Sequence, residues 1–170
     1  MERKMFCFQC EQTAACSGCT GKAGVCGKTA DVAQLQDELT GALVGLSRAT
    51  DGGMQATPEM WRLMIEGLFT TVTNVNFNEN TIRELIGRVH AEKARLAPDC
   101  AGCAAPCGRT SDYDMNRLWS ADEDIRSLKS LILFGVRGMA AYAHHALVLG
   151  YTDDEVNRFF AKALFAIGED

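Results

Sequence analysis

Cys7, Cys10, Cys16, Cys19 and Cys26 fall within the twenty residues CFQCEQTAACSGCTGKAGVC, so five of the eight cysteines sit at the start of the chain. Thiolates ligate zinc and iron–sulfur clusters. The remainder of the stretch is Gly, Ser, Thr and Ala, with little apolar surface to fold around, so its order is expected to come from a group bound to the sulfurs. Two sets of four ligands are available. Cys7, Cys10, Cys16 and Cys19 are spaced C-x2-C-x5-C-x2-C, like two zinc knuckles with a short spacer. Cys7, Cys10, Cys19 and Cys26 are spaced C-x2-C-x8-C-x6-C, one close pair and two distant ligands, as a loop wrapped around a larger cluster requires. On spacing alone both zinc and a cluster stay open.

A cluster held by four thiolates is anionic, and the neighbouring residues suit an anion. Gly18, Gly21, Gly24 and Gly27 are expected to let backbone N–H groups approach the sulfurs. Lys22 and Lys28 are close in sequence, and the positive end of a helix beginning near Thr29–Asp31 faces the same segment.

A second cysteine loop, PDCAGCAAPCGRTSD, occupies residues 98–112. Cys100, Cys103 and Cys107 are spaced C-x2-C-x3-C and offer three corners of a second metal site. The fourth ligand would come from Asp99, Asp112, Cys16 or a partner chain. Three readings stand: a loop of free thiols, a zinc or partial site, and a second cluster. The order is the reverse of the C-x3-C-x2-C of radical enzymes, and no β/α pattern accompanies it. His144 and His145 are adjacent, so they point in different directions, and His90 lies on a charged face; all three read as structural or solvated. The Glu-x-x-His motifs of di-iron bundles are absent, as is a Gly-rich phosphate loop ending in G-K-[ST].

Helices must position these loops. Val32, Leu35, Leu39, Leu43 and Leu46 recur at helical spacing and predict a helix over about 31–49. Thr57-Pro58-Glu59 opens a second, which fades into Thr70-Thr71-Val72-Thr73-Asn74. A third runs from about Glu79 to Leu96, with Asn78 as its cap. A short turn is expected at 113–119. Ser120 and Glu123 form a capping-box pattern for a long helix ending at Leu149 and Gly150, about 40 Å at about 1.5 Å per residue. Gly135, Gly138, Ala140 and Ala141 within it predict close packing of another backbone. Thr152 and Glu155 repeat the capping-box pattern before a last helix whose expected inner face is Val156, Phe159, Phe160, Ala163, Leu164 and Ile167. The expected fold is all-α, about five helices in two packed bundles with an N-terminal cysteine-rich loop, and residues 1–30 and 31–170 together make one domain. Residues 1–30 are the cluster-binding segment and 31–170 the helical bundle.

Composition narrows the partners. The 170 residues are 47% hydrophobic and 23% charged, with a net charge of −5 and no basic stripe, which argues against nucleic acid. The N-terminus lacks the apolar stretch of a secretory signal. No uninterrupted apolar run approaches the roughly 18 residues of a membrane span. A cytoplasmic protein is expected, and in that compartment clustered cysteines read as ligands or redox groups rather than disulfides.

The motifs F-C-F-Q-C-E-Q-T, S-G-C-T and G-V-C-G-K-T, followed by L-Q-D on a helix, resemble the N-terminus of the hybrid cluster proteins, the prismane or hydroxylamine reductase family. G-L-F-T-T-V-T-N-V-N-F (67–77) and the helix of residues 122–150 continue the resemblance over nearly the whole chain. The resemblance implies that Cys7, Cys10, Cys19 and Cys26 hold the first-domain cluster, that Cys16 is a spare thiol, and that the short x8 gap marks a 4Fe-4S rather than a 2Fe-2S type. It also implies that electrons enter here from a reductase partner and pass to a hybrid cluster whose His, Glu, Cys and Lys ligands belong to later domains of a longer chain. The 170 residues by themselves are then expected to carry electrons without reducing hydroxylamine. The competing expectation is a zinc-stapled helical binding or assembly module. Self-association through the long helix is a further expectation.

Overall fold

The computed structural model describes residues 4–10, 17–53, 55–97 and 111–169. Six helices follow in order: α1 (Ala30–Ala49), α2 (Pro58–Thr70), α3 (Glu79–Leu96), α4 (Met115–Trp119), α5 (Glu123–Val148) and α6 (Asp154–Gly168). The described residues contain no sheet, only an isolated antiparallel bridge between Cys7 and Cys19. The fold is all-α, and the short turn expected before the long helix is α4.

Local chemistry starts most of these helices. Thr29, Thr57, Asn78, Asp114 and Asp153 each accept a hydrogen bond from a backbone N–H of the first turn. Two expected capping boxes do not form. The Ser120 hydroxyl instead donates to the Asn116 carbonyl at 2.7 Å, closing α4, and α5 begins after Asp122 without a side-chain cap. At α6 the cap is Asp153, while Thr152 Oγ1 accepts from Asn157 Nδ2 at 2.8 Å.

The expected α1 stripe is buried, and from Leu39 to Ser47 every residue of α1 is buried. This helix therefore lies at the centre, packed against α2, α3, α4 and α6. One hydrophobic cluster runs through all six helices, and a small satellite of Met5, Cys7 and Ala33 sits at the cysteine segment. Two glycines of α1 permit a close crossing by residues 111–113. A Cβ on Gly41 would stand 2.2 Å from the Tyr113 carbonyl oxygen, and one on Gly45 would stand 2.9 Å from that of Ser111.

The long helix differs from expectation in two respects. Gly135 and Gly138 face open space among the described residues, so no backbone packs there. Leu128, Leu131 and Tyr142 are exposed at 60%, 67% and 82%, leaving an apolar stripe along the outer face. By length and composition α5 is long and apolar enough to cross a membrane, since few charges interrupt it; its inner face packs on α2 and α6. In α6, Val156 and Phe159 are exposed rather than inward, because the buried face is turned to Asn157, Phe160, Ala161 and Leu164.

Candidate metal centre

The described N-terminal residues meet at a single antiparallel bridge between Cys7 and Cys19. Cys7 and Cys19 exchange both backbone hydrogen bonds, at 3.1 and 2.8 Å, which pins the first and third proposed ligands side by side. The loop leading to Cys26 is closed by Gly24 N–H donating to the Lys28 carbonyl at 2.8 Å and Gly27 N–H donating to the Gly24 carbonyl at 2.9 Å. These two N–H groups therefore serve the turn rather than the sulfurs, against expectation. Gly27 has φ +86°, a conformation costly for any side chain. A Cβ on Gly24 would meet Cys26 Sγ, Lys28 Cβ and Met5 Cε at 3.4 Å, an ordinary packing distance.

Cys7, Cys10, Cys19 and Cys26 are free thiols and line one small cavity together with Gln9, Gly24, Val25, Lys28 and Thr73. Cys7 is buried and the other three half-buried. Ala33 in the first turn of α1 packs against Met5 and Cys7, which places the helix start beside the segment as expected. On its outer side Cys10 borders an open cleft of about 320 Å³ shared with Val72, Thr73, Phe134, Arg137 and Gly138.

Two cations back this cavity. Lys28 is 3% exposed, and its Nζ lies 3.8 Å from Cys7 Sγ and donates to Gln9 Oε1 at 2.7 Å and to Gln36 Oε1. Arg137 of α5 is 5% exposed. It donates to Thr71 Oγ1 at 3.0 Å, to Thr40 Oγ1 at 3.2 Å and to the Gln9 carbonyl oxygen at 3.2 Å, so it ties the cysteine segment to α1, α5 and the end of α2. Gln9 Nε2 completes the network by donating to the Ala33 carbonyl at 3.1 Å and to Asp37 Oδ1 at 2.6 Å. Burial pushes the Cys7 thiol up, opposed first by Lys28, and pushes the Arg137 guanidinium down, opposed first by Asp37 and then by Cys7 and Cys10. Lys22, the other lysine of the segment, is exposed.

Sequence reading missed Arg137 as part of the site. The available signal was its position: Ser130, Leu133, Arg137 and Ala140 form the inward stripe of α5, where an arginine needs polar partners. Cys16 lies outside the described residues, as do Cys100, Cys103 and Cys107. Asp112, one candidate fourth ligand for the second loop, is held by Lys93 Nζ and by His90 Nε2 at 2.7 Å. The rings of His144 and His145 stand at 77° to each other, and both pack on Phe69. Among the described residues no three His, Cys, Asp or Glu side chains converge as ligands of a single ion.

Residues 5–170 match the model of the Prismane/CO dehydrogenase family. The chain belongs to this family. It is similar to the hydroxylamine reductase of Clostridium perfringens (strain 13 / Type A), with 40% identity over 98% of this chain and 34% of that protein. A hydroxylamine reductase of Caldanaerobacter subterraneus subsp. tengcongensis is 40% identical with the same coverage, and one of Methanococcus vannielii is 36% identical. The chain thus spans about a third of the length of the curated relatives it matches. Prismane family membership points to iron–sulfur binding, and the donor set fits: four free thiols around one cavity, with two buried cations beside them to balance an anion.

Proposed function

We propose that this chain is an iron–sulfur electron-transfer domain of a hydroxylamine reductase-like hybrid cluster protein. The observation that carries the reading is that Cys7, Cys10, Cys19 and Cys26 line one small cavity backed by Lys28, within a chain of the Prismane family. A 4Fe-4S cluster bound there would take up and pass on single electrons. Cys7 and Cys19 are fixed by their shared backbone bonds, Cys26 by the Gly24–Gly27 turn, and Cys10 faces the open cleft beside Phe134. Cys10 is accordingly the ligand that borders an open cleft, where a donor reductase or the next redox centre would approach.

Reduction of hydroxylamine itself belongs, on this reading, to the remaining two thirds of such a protein, and the outer stripe of α5, with Leu128, Leu131 and Tyr142, is the surface those later domains cover. A cytoplasmic setting keeps the thiols available as ligands.

Anaerobic visible absorption and low-temperature EPR of the iron-loaded chain, before and after dithionite, test the proposal. The expected result is a broad brown absorption that bleaches on reduction as a paramagnetic signal develops. A colourless protein with stoichiometric zinc after anaerobic loading would instead support the stapled binding module.

A further inference from the structure

We propose that Lys28 and Arg137 are built-in counter-charges for the anionic group held by the four cysteines, and that Lys28 sets the potential at which that group accepts an electron. This rests on the cluster reading above.

The argument is one of charge balance in a buried place. Lys28 and Arg137 are 3% and 5% exposed, and neither forms a salt bridge with a carboxylate of the described residues. The partners of Lys28 are two amide oxygens and the Cys7 sulfur; those of Arg137 are two hydroxyls and a carbonyl. Neutral dipoles satisfy donors but leave the net charge in place, and an uncompensated buried cation is strongly unfavourable. Among the described residues Asp37 is the one carboxylate joined to the network, through Gln9, and a single carboxylate leaves one of the two cations without a counter-charge. The four cysteine sulfurs line the cavity beside these cations, and an anionic group ligated by them would supply the missing negative charge.

The geometry fixes the consequence for Lys28. Its ammonium is held between Gln9 and Gln36, and Gln36 is in turn fixed by donating to the Asn76 carbonyl at 2.9 Å. The charge cannot swing away when the charge of the group changes. On reduction one electron arrives from the external reductant and stays on the cluster, with no bond broken and no proton required. A fixed cation 3.8 Å from one ligand sulfur, in a poorly solvated site, favours the more negative reduced state and raises the potential. Lys22 is exposed, so water and salt screen it and it contributes little.

The test is an anaerobic redox titration, read by EPR, of the iron-loaded chain and its Lys28→Gln, Lys28→Arg and Lys22→Gln variants, with iron and sulfide measured on each. Lys28→Gln is expected to shift the oxidised-to-reduced ratio at a fixed potential at least tenfold toward oxidised, about 59 mV lower for one electron. Lys28→Arg and Lys22→Gln are expected to stay close to wild type. A loaded Lys28→Gln variant with the wild-type potential overturns the inference and leaves the cluster reading standing. If Lys28→Gln does not load, loading of Lys28→Arg supports the counter-charge and failure of both overturns it. A wild-type chain that binds no iron and sulfide overturns the cluster reading, and the inference with it.

Discussion

Tyr113 lies directly over Gly41: its N–H donates to the Gly41 carbonyl at 3.0 Å, and its own carbonyl oxygen occupies the space a Cβ on Gly41 would need, 2.2 Å from that position. The segment that returns from the second cysteine loop is thereby seated on the central helix at a point where backbone meets backbone. Gly41→Ala forces a backbone shift that no side-chain rotation relieves. Its expected cost is about 1–3 kcal/mol, read as a fall of several degrees in the unfolding midpoint of the 170-residue chain. An unchanged or higher midpoint would show that residues 111–113 do not cross α1 this closely.

Gly135 and Gly138 predict the opposite outcome. Both lie inside α5 and face open space among the described residues. Alanine at either position removes the conformational penalty of a helical glycine without meeting a neighbour, and each change is expected to raise stability by about 0.5–1 kcal/mol. Thermal unfolding of the single and double variants checks this. A loss of stability would mean that a backbone packs against these glycines in the isolated chain.

These two pairs of glycines also show what a sequence can and cannot tell. Helix starts at Thr57 and Asn78 were legible because a cap is a contact between residues two or three apart. Small residues in α5 looked like a packing seam, whereas the close crossing is at Gly41 and Gly45 on α1, decided by a segment some seventy residues downstream (Tyr113). The Ser120–Glu123 pattern failed because α4 claimed the serine hydroxyl first. Spacing left two sets of four cysteines open, and the family resemblance chose between them; Gly24 and Gly27 were legible as turn residues. The inward stripe of α5 carried a signal for the burial of Arg137 but none for its partner: Arg137 meets Gln9 across 128 residues of chain, and no local pattern records such a contact.

Asp112 gives a prediction in pH. Burial raises the pKa of its carboxyl, but hydrogen bonds from Lys93 and His90 outweigh this and hold it below the ordinary aspartate value. A depressed folded pKa means that the carboxylate contributes stability above the unfolded pKa of about 3.9, and that this contribution disappears as pH falls through the folded value. Because the side chain is 38% exposed, solvent screening limits the effect. Asp112→Asn is expected to lower stability by at most about 1 kcal/mol at pH 6, with the difference from wild type shrinking below about pH 4. Denaturant unfolding of both proteins at the two pH values reads this directly; a difference that grows in acid would contradict it.

Arg137 is expected to matter more for the loop than for the bundle. It holds the Gln9 carbonyl, Thr40 and Thr71 at once. Arg137→Gln leaves those acceptors short of donors in a buried place, at a cost of about 1–3 kcal/mol. Proteolysis at the cysteine segment is expected to accelerate while α1 and α3 stay protected in amide exchange. Equal loss of protection in all helices would show that Arg137 instead supports the whole core.

The central claim, that Cys7, Cys10, Cys19 and Cys26 hold an iron–sulfur cluster, is tested most directly by counting iron and acid-labile sulfide in the anaerobically loaded chain and in its cysteine-to-serine variants. The prediction is about four of each per wild-type chain, retained in Cys16→Ser and largely lost when any of Cys7, Cys10, Cys19 or Cys26 is replaced. A wild-type chain that takes up one zinc and no sulfide, or iron that survives replacement of Cys7 and Cys26 but not of Cys16, would contradict it.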